Sequence, residues 1–512
     1  MKKLRFSALF SLFFVLTFTP TAAASHGLAS CLSWIAMTIA GASGKSWVNK
    51  YSSNVDIEKP LYFDLVQGDN VNSLGVGSYG DGSFIGEFNS NGNVVWQDNF
   101  EGFHFKRILK EENNFYAVGD SEQNFGDDIL YGPAIVRFDV EDESSDVAWV
   151  KQPALGFYTE IHDAAVVRDG ALMVVGDVYG AFTNNESFTL QPRGALIHYD
   201  KYGANFWAAA VSASSARWDN FHSINYESDN NIVSITGMSG YDTGNATMLS
   251  MPLVRLSYGL TEPGFNSTML YLMINDHNIS TTQGIVGYSH TDTSDGGYVM
   301  TGSIFTLNNV TKYQLFVGKV NNESVPEWFR FIDEMDDSVG FTAVEHGGHY
   351  VVGGYKVDNN NPRLLIINLE KEEGALVSAR LGNVPGYNIS IGFSLKVGSN
   401  GDLYMTGGTA SNDTLDGVTK LLLHKTDNIL ECTESVNLNF PLLEGIARIS
   451  REMTDFDVPE IYTFDQSAPI ETVNTNKMAK NNICYETNSA SYLVSAKNTV
   501  LGTMLFLFFS LY

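Results

Sequence analysis

Cysteine is nearly missing from this chain: Cys31, Cys432 and Cys484 are the three in 512 residues. Thiols so widely separated have no metal-binding spacing, and they cannot hold a chain of this length together. An oxidising compartment permits one bridge, expected between Cys432 and Cys484, with Cys31 left free or paired across chains. A hydrophobic core must therefore do the work, and a 44% share of hydrophobic residues is ample for one. Basic residues are scarce as well: 31 Lys and Arg against 58 Asp and Glu leave a formal net charge of -27. That balance excludes a face built to meet nucleic-acid phosphates.

Compact catalytic signatures are also absent. There is no G-x-S-x-G elbow, no HExxH pair and no glycine-rich phosphate loop between a strand and a helix, so no cofactor is expected. Glu160, His162 and Asp163 cluster in sequence, as do Glu345, His346 and His349 around Gly347-Gly348. Neither group has a third ligand fixed by spacing, so both are read as exposed loop histidines and no metal is expected. The acidic tracts Asp292 to Asp295 and Glu141 to Asp146 lack the ordering of an EF-hand and are read as solvated loops. Glycosidase chemistry stays open, because it needs only two carboxylates about 5 to 10 Å apart, and those would come from different parts of the chain.

Long apolar runs are confined to the two ends. Met1 opens a basic start, Phe6 to Thr19 is apolar, and Ala22 to Ala24 are small, the layout of a secretory signal with cleavage expected after Ala24. The sequence Leu28-Ala29-Ser30-Cys31 is similar to a bacterial lipoprotein box but stands too far from the apolar run. Val500 to Tyr512 forms a short apolar tail behind a polar spacer and the small residues Asn488, Ser489 and Ala490, the layout of a GPI-attachment signal with Asn488 as the attachment site. A short C-terminal strand or a membrane-associated tail is the alternative. Eight N-x-S/T acceptors, at Asn185, Asn245, Asn266, Asn278, Asn309, Asn322, Asn388 and Asn412, fit a secreted glycoprotein.

What is abundant between the ends is repetition. An apolar strand ending in glycine recurs about every fifty residues: LGVG at Leu74, FYAVG at Phe115, ALMVVG at Ala171, IVSITG at Ile232, YVMTG at Tyr298, YVVGG at Tyr350 and LYMTGG at Leu403. Its aligned glycines are Gly75, Gly119, Gly176, Gly237, Gly302, Gly353 and Gly407. A second half, strand then polar turn, often closes on tryptophan, at Trp96, Trp149, Trp207 and Trp328. Such units, with no amphipathic helix between them, imply an all-β propeller of seven four-stranded blades, an eight-bladed ring, a sandwich or a solenoid being the alternatives. The glycine is expected to permit close backbone approach near the central channel, and the aromatic to fill the space between blades. Trp47 has the phase of a terminal strand, which would complete the last sheet and close the ring.

The pattern resembles a repeat family of secreted β-propellers in which Asp, Gly-Gly, Tyr, an apolar pair and Gly precede a strand, an Asn-Gly turn and Trp. The best matches are Asp295 to Gly302 and Asn91 to Trp96, and the resemblance runs from Trp47 to Cys432. It implies seven blades used for adhesion, display or scaffolding, usually without an enzyme site. The organisation expected is a signal peptide at 1–24, an N-terminal extension at 25–46, a propeller at 47–445, a stalk at 446–488 and a GPI propeptide at 489–512. The function expected is a non-catalytic module at the extracellular face of the plasma membrane, or secreted, held by a lipid anchor. Its partners would be glycans or another surface protein, not nucleic acid. The alternative is a polysaccharide-active enzyme, glycosidase or lyase, of propeller fold.

Overall fold

The computed structural model describes residues 34–35, 48–52, 63–67, 72–79, 82–89, 94–125, 128–141, 144–154, 158–181, 190–203, 206–213, 218–242, 247–258, 268–274, 282–307, 311–382, 389–397, 403–410, 418–423, 433–444, 446–456, 462–465 and 479–482. Among them, strand follows strand, interrupted by one short 3-10 turn at Arg168–Gly170. No helix among the described residues is long and apolar enough to cross a membrane.

Six antiparallel four-stranded sheets follow in chain order, starting at Phe63–Gln67, Phe103–Glu111, Tyr158–Val166, Trp218–Glu227, Thr282–Asp292 and Ser338–His346. A seventh begins with Ile389–Val397, continues through Leu403–Ala410 and Val418–Leu423, and takes its fourth strand, Val48–Ser52, from the N-terminal end of the chain. The terminal strand before the first repeat therefore completes the last sheet, as its phase predicts. The first strand of each sheet touches the first strand of the next all the way round, including the seventh against the first, so these strands form the wall of the axis. This is a seven-bladed, propeller-like arrangement.

Each four-stranded sheet has faces that cannot stay wet, and the core lies in the layers between sheets. One cluster joins Leu74, Val76, Trp96 and Phe100 of the first sheet to Phe105, Phe115 and Phe138 of the second. Comparable clusters join the second sheet to the third, the third to the fourth, the fourth to the fifth and the fifth to the sixth. The repeat tryptophans fill these layers, as expected. Trp149 packs 6.5 Å from Tyr199 of the third sheet, and Trp328 lies 6.0 Å from Tyr350 of the sixth while its indole N–H donates to the Lys371 carbonyl.

Polar latches tie neighbouring inner strands. Asp64 accepts from the Ile108 amide, Asp163 from Ile224, Ser223 from His290 and Thr342 from Leu395, each reaching into the following sheet. The ring closes with the same device, since the Ser394 hydroxyl donates to Asp64 at 2.8 Å.

The segment after the repeats departs from its expected role. Part of 446–488, expected as a stalk, is strand laid along the outer edges of the ring, in reverse order. Thr433–Ser435 pairs with the sixth sheet, and the Leu443 amide donates to Phe329 of the fifth. Ile446–Phe456 then pairs first with Thr268–Ile274 of the fourth sheet and next with Ala210 to Ala213 of the third. Tyr462–Asp465 continues on the second, and Ala479–Asn482 pairs with Val48–Ser52, the strand that closes the ring. Outer strands are otherwise unpaired edges, and this belt covers those of the second to seventh sheets through backbone hydrogen bonds, while among the described residues Val94–Glu101 of the first sheet stays an edge.

Candidate functional site

In the second to seventh sheets the inner strand carries one residue more than its partner. The register shifts fall at Lys106, His162, His222, Tyr288, Phe341 and Phe393. A bulge of this kind bends the strand and re-aims the extra side chain. It also brings the inner strand's backbone against the next strand, which explains the recurring glycine. A Cβ on Gly119, Gly176, Gly237, Gly302, Gly354 or Gly407 would lie 1.8 to 2.1 Å from a carbonyl oxygen of the bulged strand. Expected close approach is thus found in the second to seventh sheets, with Gly354 rather than Gly353 at the contact in the sixth. The first sheet pairs without a shift.

Because the bulges sit on the wall of the axis, their side chains meet those of the neighbouring sheets. Ring centroids run 5.2 Å from His162 to His222, 5.4 Å from His222 to Tyr288, 5.6 Å from Tyr288 to Phe341 and 5.7 Å from Phe341 to Phe393. The ring has two arcs. In the second to fourth sheets the bulged residues are Lys106, His162 and His222, and the residues two places earlier are His104, Glu160 and Asn220. In the fifth to seventh sheets they are Tyr288, Phe341 and Phe393, and the residues two places earlier are Val286, Val339 and Ile391. Tyr288, Phe341 and Ile391 pack on buried Val339, Tyr355 and Val357.

Charge in the polar arc is tightly organised. The Lys106 ammonium sits 2.8 Å from Asp120 and 3.1 Å from Glu160, and Asp120 also accepts from the Ile161 amide at 2.7 Å. Burial, followed by repulsion from Glu160, outweighs Lys106 and pushes Asp120 up to about 6. His162 Nε2 lies 2.9 Å from Asp177, which also accepts from the Asn220 side-chain amide at 2.8 Å and the Phe221 amide at 3.1 Å. Burial opposes a charge on His162, but the Asp177 carboxylate more than offsets it and holds the imidazole above its ordinary value. His222 goes the other way: burial, and then the charge of His162, press it down to about 3. Its Nδ1 donates to the Gly287 carbonyl at 3.0 Å, so the neutral ring keeps an acceptor at Nε2. Asn220 is 5% exposed, and its Oδ1 is buried without a donor.

His162 is therefore not the exposed loop histidine expected, but a strand residue at a bulge, ion-paired on the axis. His346 and His349 face each other in register across the Gly347-Gly348 turn, away from this ring. Asp295 of the acidic tract pairs at 2.9 Å with buried Lys319. Among the described residues no three His, Cys, Asp or Glu side chains are grouped to hold a metal ion. Asn322 is an exposed turn residue. The other acceptors, Asn185, Asn245, Asn266, Asn278, Asn309, Asn388 and Asn412, lie outside the described residues, as do Cys31, Cys432, Cys484 and Asn488. Sequence reasoning missed Lys106, Asp120, Asp177, Asn220, His222 and the aromatic arc. Their signal is positional: each bulge stands thirteen to fifteen residues before its glycine.

No family model and no curated protein matches the sequence. Among solved structures, an acylaminoacyl peptidase from Pyrococcus horikoshii is similar at 11% identity and a TM-score of 0.35, over 72% of this chain and 52% of that one. The chain thus spans about half the length of that peptidase. A mannose phosphorylase from Leishmania mexicana is similar at 11% identity and a TM-score of 0.26, over 62% of this chain and 82% of that one. Likenesses at this level carry no argument about function.

Proposed function

We propose that the axial ring is the ligand site of an extracellular binding and display module, and that its ligand is a glycan. One observation supports this above the others: the ring is split into an aromatic arc and a hydrogen-bonding arc. A sugar has the matching character, with apolar C–H faces to lie on Tyr288, Phe341 and Phe393 and polar groups to meet Asn220, His162 and His222. The axial carboxylates argue for binding over turnover. Asp120, Asp163 and Asp177 each accept a backbone N–H from the following sheet, so they are committed to holding the ring. A glycan array with the intact protein tests the reading. Binding should be lost in His222→Ala and Phe341→Ala variants that retain the wild-type circular dichroism; binding that survives both places the ligand elsewhere and overturns it.

A second reading, hydrolysis or lyase cleavage of a polysaccharide, is favoured by Asp120 and Glu160 sharing one ammonium while Asp120 is pushed up to about 6. Glycosidic cleavage uses a pair of carboxyl groups, one of them raised above its ordinary value. Turnover of plant, algal or host polysaccharides that disappears in both Asp120→Asn and Glu160→Gln would establish it. The cell-surface address is part of the proposal. With Ala479–Asn482 on the ring, a lipid at Asn488 would keep the propeller within roughly 20 Å of its attachment point. Release by a phosphatidylinositol-specific phospholipase tests this, and a recovered peptide containing Leu505 and Phe506 contradicts it.

A further inference from the structure

We infer that the axial site selects glycans carrying a free, protonated amino group. This rests on the glycan reading and concerns which sugars the site takes. The polar arc holds acceptor atoms that the protein leaves unmatched. Asn220 Oδ1 is buried and has no donor, while its Nδ2 is spent on Asp177. A buried acceptor left unpaired is costly and is satisfied by a ligand that donates. His222 Nδ1 is committed to the Gly287 carbonyl, which leaves the acceptor nitrogen, Nε2, for a ligand.

Fixed charge points the same way. Asp64, Asp120, Glu160, Asp163 and Asp177 surround the arc. Lys106 is bound to Asp120 and Glu160, and Arg107 to Asp163 and Asp64. His162 is held by Asp177. These three cations are therefore already held by carboxylates, and a uronic, sialylated or sulfated glycan would have to compete with those carboxylates for them. Beside the polar arc on the ring, where Tyr288 stacks on His222, the faces of Tyr288, Phe341 and Phe393 carry the negative side of their quadrupoles, which attracts a cation and is indifferent to a hydroxyl. An ammonium group on a sugar ring satisfies all three features at once: it donates to Asn220, sits in an acidic field and faces aromatic rings. An N-acetyl group in its place loses the charge and adds an acceptor where acceptors are already in excess.

The test is titration calorimetry of the full chain at physiological ionic strength with a β-1,4-linked glucosamine tetramer, its fully N-acetylated counterpart and a uronic acid tetramer. The glucosamine oligomer should bind one to one and at least tenfold tighter than the acetylated one, with no binding of the uronic acid. The preference should vanish in Asn220→Leu and the affinity should fall in Phe341→Ala. Equal binding of the first two oligomers overturns the inference and leaves the glycan reading standing. Binding of the amine at several sites, unaffected by Phe341→Ala, reports attraction to an acidic surface and also overturns it. Failure of every glycan, on the array as well as in solution, overturns both. The comparison of oligomers on the wild-type chain needs no variant, so a misfolded Asn220→Leu does not rescue the inference.

Discussion

The two arcs of the axial ring share one backbone device and differ in what it presents. On both, an extra residue in the inner strand faces the axis and a glycine opposite makes room for the bend. One arc fills the position with Lys106, His162 and His222, the other with Tyr288, Phe341 and Phe393. The backbone thus sets where a side chain points and leaves its chemistry free, which is how a repeated scaffold can hold a site that is not repeated.

The largest effects should come from changing what the arcs share. Gly176→Ala would set a Cβ 1.9 Å from the Glu160 oxygen, and Gly354→Ala would do the same against Val339. Each should cost roughly 4 kcal/mol or prevent folding, and to a similar extent, in chemical denaturation. Gly408→Ala meets Phe393 at an ordinary 3.5 Å. It should stay within about 1 kcal/mol of wild type. A large difference between Gly176→Ala and Gly354→Ala would contradict a common device.

Next, the arcs should respond differently to truncation. Asp177→Ala removes the partner of His162, Asn220 and the Phe221 amide together, so it should cost about 3 kcal/mol in the same experiment. Phe341→Ala removes a half-buried ring whose neighbours can partly collapse, with an expected loss of about 2 kcal/mol. Equal or reversed costs would mean that the polar arc is not the tightly coupled side.

The smallest and most specific difference is in pH. His222, held down at about 3 against an ordinary 6.5, stabilises the fold fully above 6.5, and this contribution is lost as pH falls toward 3. Relative to His222→Asn, wild type should therefore lose about 1.4 kcal/mol per pH unit on acidification through that window. Asp120, raised from 3.8 to about 6, has the opposite slope: its protonated form suits the folded state, so its contribution is present at low pH and lost as pH rises through that window. Comparing wild type with Asp120→Asn checks that sign. Phe341→Ala and Phe393→Ala remove no titrating group and should give a cost that does not vary with pH between about 4 and 7.

Much of the scaffold was legible in the sequence because physics restricts the residue type there. Only glycine fits against a bulge carbonyl, as at Gly176, and a large aromatic best fills the layer between sheets, as at Trp149 and Trp328. The phase of Trp47 likewise announced the closing strand. The site was not legible, because any residue fits the bulge itself, and His162 beside Glu160 and Asp163 looks the same in sequence as an exposed acidic loop. The belt was hidden for a different reason. Ile446–Phe456 joins the fourth and third sheets through its backbone, and edge pairing asks little of side-chain pattern, so a segment with few apolar residues in phase reads as a stalk.

If the two arcs form one site, a single array-positive oligosaccharide titrated into wild type, His222→Ala and Phe341→Ala should feel both losses. Each variant, folded by circular dichroism, should bind the same ligand at least tenfold more weakly. Wild-type affinity in either one would show that the ligand uses at most one arc, and would contradict a single site.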